Sequence, residues 1–201
     1  MVRPAQTARS ERTREALRQA ALVRFLAQGF EETSAEQIAA DAGVSLRTFY
    51  RHFSSKHDLL FADYDAGLHW FRAALAARPA DEPITESVQA AIFAFPYDVD
   101  AVAKIAALRD AELDSGRIVR HIRQVESDFA DAVAERLSRA DTAATVDERL
   151  RITVTARCIA AAVFGAMEVW MLGQDRSLAE LARLSHAALA SLENGLLRVG
   201  P

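Results

Sequence analysis

At four places in this chain a Ser or Thr stands three residues ahead of a side chain that can reach back to it: Ser34 with Gln37, Ser55 with Asp58, Thr145 with Glu148 and Ser177 with Glu180. Such a pair satisfies the orphan amides of a helix start from both directions, so each marks a helix rather than a strand or loop. Behind them apolar residues recur at three and four, and Gly29, Gly43 and Gly173 stand where helices would stop. No stretch alternates as a half-buried strand does, and no internal repeat or low-complexity run is present. The expected fold class is all-α with about nine helices. They run over Glu11 to Gln28, from behind Ser34 to Gly43, Leu46 to Phe53, from behind Ser55 to about Arg78, and Pro83 to Phe95. The remainder cover Asp98 to Leu113, Ile118 to Ala140 after a break near Ser115-Gly116, then 146–172 and 178–197.

The 201 residues are 51% apolar, enough for a sizeable core. No uninterrupted apolar run approaches the ~20 residues of a membrane span. Arg3, Arg9, Arg12 and Arg14 are followed by no apolar stretch, so the start does not read as a secretory signal. The expected location is cytoplasmic, with no membrane partner. One cysteine, Cys158, allows no intramolecular disulfide and no cysteine metal cluster, and its place among alanines predicts a small buried side chain. The net charge of −4 is unevenly spread: residues 1–56 hold nine basic and six acidic groups, and the rest hold 15 and 22. A basic head on an acidic body suits a phosphate-binding module joined to one with another task.

Gly43-Val44-Ser45 joins two short helices, the spacing of a helix-turn-helix. On a wheel of about 100° per residue, Leu46, Phe49, Tyr50 and Phe53 share one arc of the third helix. Arg47, Thr48, Arg51 and His52 occupy the other. A two-turn helix anchored by rings, with hydrogen-bonding groups outward, is what a major-groove reader needs. Arg can bond guanine at two points, and the Tyr50 hydroxyl sits at the edge of the arc where a phosphate would lie. Lys56, in the first turn of the next helix, is placed for a phosphate at that helix N-terminus. Periodicity alone leaves another helical interaction module equally open.

The stretch around EQIAADAGVSLRTFYRHFSSKHDLL closely resembles the DNA-binding signature of the tetracycline-repressor (TetR) family of bacterial regulators. The matching positions are Ile38-Ala39, Ala42 to Ser45, Phe49-Tyr50, His52-Phe53, Ser55-Lys56 and Leu59-Leu60, with Ala20-Ala21, Phe25 and Gly29-Phe30 upstream. The resemblance covers about the first 60 residues. It implies a DNA-contacting set of Ser45, Arg47, Thr48, Tyr50, Arg51, His52 and Lys56, with Tyr50, His52 and Lys56 on phosphates. Arg47 and Thr48 stand where family members vary and would carry sequence choice. Arg47 and Arg51 add charge relative to many members. The implied organisation is a helix-turn-helix domain over residues 1–55 and an effector-binding and dimerisation domain over 56–201, linked by a helix over 56–78.

A single helix-turn-helix buries too little surface for operator affinity, so a two-fold dimer on a near-palindromic double-stranded site is expected. Cys158, Ala161, Ala162 and Gly165 on the 146–172 helix would permit close approach, and Leu178, Leu181, Ser185, Ala188 and Leu192 form a seam on the 178–197 helix. The resemblance places Trp70, Phe71, Phe93, His121, Phe129 and Phe164 along a cavity for a small, mostly apolar effector. Such rings at helical spacing also suit a plain core.

An enzyme is the other class to weigh. The sequence has no Gly-rich phosphate loop, no nucleophile elbow and no metal-spaced pair among His52, His57, His69, His121 and His186. No cofactor, metal or catalytic residue is expected, and the reading is a ligand-responsive transcriptional regulator, a repressor.

Overall fold

A computed structural model describes residues 4–94, 99–138, 145–175 and 177–195. Among them are nine α-helices and no strand: α1 Pro4–Gln28, α2 Ala35–Asp41, α3 Leu46–His52, α4 Ala62–Ala76, α5 Ile84–Phe93, α6 Val99–Glu112, α7 Ser115–Ser138, α8 Val146–Leu172 and α9 Leu178–Glu193. A 3₁₀ helix, Lys56–Phe61, separates α3 from α4. The all-helical expectation stands. Arg3, Phe95, Ala140 and the expected end of the last helix near residue 197 lie outside the described residues.

The caps read from the sequence form in part, since Glu148 and Glu180 pair with Arg151 and Arg183 rather than reaching back to their caps. Ser34 and Gln37 bond reciprocally, and Thr145 and Ser177 each accept the amide three residues on. Gly29 and Gly43 take positive φ, a conformation costly for any residue with a Cβ. Gly173 ends α8 at φ −77°, so that stop needs no left-handed residue.

Three expectations change. The first helix begins at Pro4 and not near Glu11, so Arg9 and Arg12 lie on it. The expected helix over 56–78 is divided, because Leu59, Leu60 and Phe61 are all buried and three consecutive residues cannot share one face of an α-helix. The break near Ser115-Gly116 falls earlier, at Leu113-Asp114, where the Asp114 carboxylate accepts the Arg117 amide at 2.9 Å and starts α7.

The chain divides into two compact units, Met1–Asp63 with Asp98–Val119 and Tyr64–Tyr97 with Arg120–Pro201. In the first, Leu17, Phe25, Phe30, Ile38, Phe49, Leu59 and Leu60 form the buried interior. In the second, Phe71, Leu75, Val88, Phe129, Val133, Ile159, Val163 and Leu189 form one cluster, to which α8 and α9 contribute side by side.

Helix α8 turns Ile152, Ala156, Ile159, Ala160, Val163 and Ala166 into its unit. Its opposite face is also apolar: Leu150 is 61% exposed, Val154 51%, Val169 58% and Leu172 79%. By length and composition this helix could cross a membrane, and only a third of its most apolar stretch is buried. Cys158 is exposed on that outer face, contrary to the buried side chain expected. Small residues line both sides of α8, so the alanines around Cys158 did not identify the inner one. Of the expected α9 seam, Ser185 is buried and Leu192 packs on the core cluster, Leu181 and Ala188 are half-buried, and Leu178 is exposed.

Candidate nucleic-acid interface

Helix α3 is short because its length is set at both ends. The Ser45 hydroxyl caps it, accepting the Thr48 amide at 3.1 Å, and the Ser45 and Thr48 hydroxyls are 2.9 Å apart. The helix closes at Phe53, whose amide bonds the Phe49 carbonyl. Phe49 is fully buried and Phe53 nearly so; their ring centroids are 6.0 Å apart. These rings fix how α3 rolls on α1 and α2, and the roll decides what faces out. Arg47 and Arg51 are exposed, and Tyr50 is 54% exposed with its ring edge-on to Phe49 at 5.2 Å. Tyr50 therefore belongs to the outward set rather than to the buried arc.

His52 is half-buried, and its Nε2 has no hydrogen-bond partner among the described residues. Burial first, then the guanidinium groups of Arg51 and Arg14, hold this imidazole below its ordinary range. Arg14 reaches this corner from α1, with its guanidinium 5.4 Å from the Phe53 ring centroid. Cationic groups from two helices thus converge at the C-terminal end of α3, where an anion would relieve their mutual repulsion.

Lys56 is placed differently from a free phosphate ligand. Its ammonium donates to the Phe30 carbonyl at 2.9 Å and the Glu31 carbonyl at 3.4 Å, and lies 4.2 Å from the Phe30 ring centroid. It ties the 3₁₀ helix to the turn between α1 and α2. The amides ahead of the 3₁₀ helix are also occupied, since the Asp58 carboxylate accepts from Ser54 at 2.8 Å and Ser55 at 3.2 Å. Asp58 in turn pairs with Arg117 at 2.7 Å. Arg109 of α6, only 4% exposed, donates through Nε to the Leu60 carbonyl at 2.8 Å. Sequence reasoning named none of Asp58, Arg109 and Arg117 as parts of the site. Only Asp58 left a signal, its capping spacing from Ser55; the arginines act from 49 and 59 residues away.

The structure thus groups Ser45, Arg47, Thr48, Tyr50, Arg51 and His52 on α3, and turns the Lys56 amine toward the α1–α2 turn. The proposed effector residues gather only in part. Phe71 and Phe129 stack at 3.9 Å between ring centroids and 15° between planes, and Phe164 meets Phe129 edge-on at 5.8 Å. At that separation no ligand fits between the first two rings, which are core. Phe93 is half-buried at the end of α5 and Trp70 is 41% exposed. His121 lies 3.9 Å from the Asp65 carboxylate and edge-on to Tyr64 at 6.0 Å. None of these lines the open hollow of about 630 Å³ on α7 bordered by Asp131, Ala134, Glu135 and Ser138.

Comparison with known proteins matches this arrangement. The family model for bacterial regulatory proteins of the tetR family matches residues 17–62, from mid-α1 into α4. Over 189 residues the chain is 31% identical to the HTH-type transcriptional regulator TcmR of Streptomyces glaucescens, covering 90% of this chain and 83% of that protein. The chain belongs to the TetR family. Among solved structures, Thermus thermophilus FadR, a TetR-family repressor in complex with lauroyl-CoA, shares its fold at a TM-score of 0.57 and 21% identity, covering 94% of this chain and 97% of that one. SmeT, repressor of the Stenotrophomonas maltophilia multidrug efflux pump SmeDEF, does so at 0.53 and 21%, covering 90% and 89%. This TetR-family chain is a transcriptional regulator with an N-terminal helix-turn-helix, and members of its family are DNA-binding proteins, not enzymes.

Proposed function

We propose that this regulator is a cytoplasmic repressor that binds a near-palindromic operator as a homodimer and leaves it when a small, mostly apolar effector binds. The observation that carries the reading is the outward side of α3: two exposed arginines and an exposed Tyr50, on a helix anchored by Phe49 and Phe53. In this reading Arg47 and Thr48 meet base edges, the Thr48 hydroxyl giving up its Ser45 partner at 2.9 Å to do so. Ser45, Tyr50, Arg51, His52 and Lys56 serve the phosphate backbone, His52 through the cationic corner it shares with Arg14. Lys56 exchanges a main-chain carbonyl for a phosphate oxygen.

Two recognition helices must stand one DNA turn apart, ~34–36 Å, to enter successive major grooves. The dimer is proposed through α8 and α9, where Leu150, Val154, Val169 and Leu172 of α8 and Leu178 of α9 stay exposed among the described residues. The effector is proposed to enter the second unit beside the Phe71–Phe129–Phe164 stack, with Trp70, Phe93 and His121 as its border. It shifts the equilibrium only by its differential affinity for the two conformers. No cofactor or metal enters this reading.

The test is a footprint of the purified protein on the DNA upstream of its own coding sequence, at several salt concentrations and with excess competitor duplex. Arg47→Ala should cost about 1–3 kcal/mol on the preferred site and far less on random duplex. Equal loss on both, or an unchanged footprint, removes Arg47 from the base-reading set. Binding that does not weaken with salt removes DNA as the partner.

A further inference from the structure

The outer face of α8 carries an ordered pattern. At about 100° per residue, Leu150, Val154, Arg157, Ala161, Gly165, Glu168 and Leu172 form one stripe roughly opposite the core-facing Ile152, Ile159, Val163 and Ala166. The stripe is ordered along its length. Large apolar side chains, more than half exposed, stand at its two ends, Leu150 and Val154 at one and Leu172 at the other. Small residues, Ala161 and Gly165, hold the middle. Between middle and ends stand one exposed cation, Arg157, and one exposed anion, Glu168, about three turns apart. Neither has an ion-pair partner among the described residues.

This order is self-complementary under reversal. We propose that α8 pairs antiparallel with α8 of a second copy about a two-fold axis between Ala161 and Gly165, so that Arg157 of each protomer meets Glu168 of the partner subunit. The inference rests on the dimer reading above and specifies its register. Reversing the stripe about that point brings Ala161 against the partner's Gly165, where the absence of bulk lets the helices approach. It brings Val154 against the partner's Leu172, apolar on apolar. The opposite charges then meet twice, once on each side of the axis. A second copy satisfies all three at once, which a lipid surface does not, since it would leave Arg157 and Glu168 without counter-charges in an apolar layer.

The test uses the full chain, with the monomer–dimer constant read by sedimentation and folding checked by circular dichroism. Arg157→Glu and Glu168→Arg should each weaken association on the order of tenfold, by setting like charges opposite one another at two places. The double reversal should restore it to within a few-fold of the original. Single reversals that weaken association without rescue in the double show that the two residues do not face each other, and overturn the register. A third variant, Val154→Asp, separates the layers of the argument. If it gives monomer while both single reversals stay dimeric, the face stands and the register falls. If Val154→Asp stays dimeric, this face of α8 is not the interface and the register falls; if the original chain is a monomer that floats with zwitterionic lipid vesicles, the dimer reading itself falls and the register with it.

Discussion

Replacing Lys56 with Ala tests whether the amine works inside the protein as well as at DNA. Its ammonium holds the Phe30 carbonyl at 2.9 Å and sits 4.2 Å from the Phe30 ring centroid. A hydrogen bond from a charged donor is worth about 1.5–3 kcal/mol when buried. Lys56 is only half-buried, so about 1–1.5 kcal/mol is the appropriate share. The cation over the ring adds about 0.5–1 kcal/mol at such a site. The expected loss is about 2 kcal/mol, which for a chain of this length lowers the melting temperature by roughly 4–8 °C. Thermal unfolding of Lys56→Ala and Lys56→Met measures it; Met keeps the stem and removes only the charge, so both should fall alike. A melting temperature unchanged in both variants would refute the staple. The DNA role reads separately, from the salt dependence of operator binding. Losing one phosphate contact from each protomer makes the log–log slope shallower by roughly 2. Lower stability with an unchanged slope makes Lys56 a turn staple and nothing more.

Two predictions concern the second unit. The Glu82 carboxyl is held down to about 2, first by the Arg78 guanidinium and next by the Ser87 hydroxyl. Its contribution should therefore be full above the ordinary carboxylate range near 4.5 and vanish as pH falls through about 2. The gap in melting temperature between the original chain and Glu82→Gln should close over that window, and a gap constant with pH would contradict the pairing. Phe129→Ala removes the middle ring of the Phe71–Phe129–Phe164 stack and should cost about 3–5 kcal/mol in denaturant unfolding. A cost below about 1 kcal/mol would mean the rings do not form the core, and would favour an open cavity there.

What could be read from the sequence was local. The capping pairs at Ser34, Thr145 and Ser177 place their helices because cap and partner are three residues apart, and the same nearness made the Gly43-Val44-Ser45 turn and the Phe49 anchor legible. The wheel that found the α3 core arc put Tyr50 inside it, because periodicity gives an angle but not the reach of the neighbouring helices. The Phe49 and Phe53 rings fill the space against α1 and α2, and Tyr50 turns out. On α8 both faces offer apolar and small residues, so no pattern on that helix alone could say which side Cys158 occupies. The inner side is chosen by Phe71, Phe129 and Leu189, which come from three other helices.

The polar supports of the site were illegible for a related reason. A buried Arg is stable only where acceptors compensate its desolvation, and for Arg109 one of those acceptors is a main-chain carbonyl, which has no sequence identity at all. Leu60 reads as an apolar core residue, and its side chain is one, yet its carbonyl receives the guanidinium of α6. Arg117 meets the Asp58 carboxylate that already holds the amides of Ser54 and Ser55. The loop leaving the recognition helix is thus set by α6 and the start of α7, segments outside the signature that reveals the helix itself. DNA affinity in this chain should therefore respond to substitutions at Arg109 and Arg117, where the stretch that carries the family resemblance gives no warning of it.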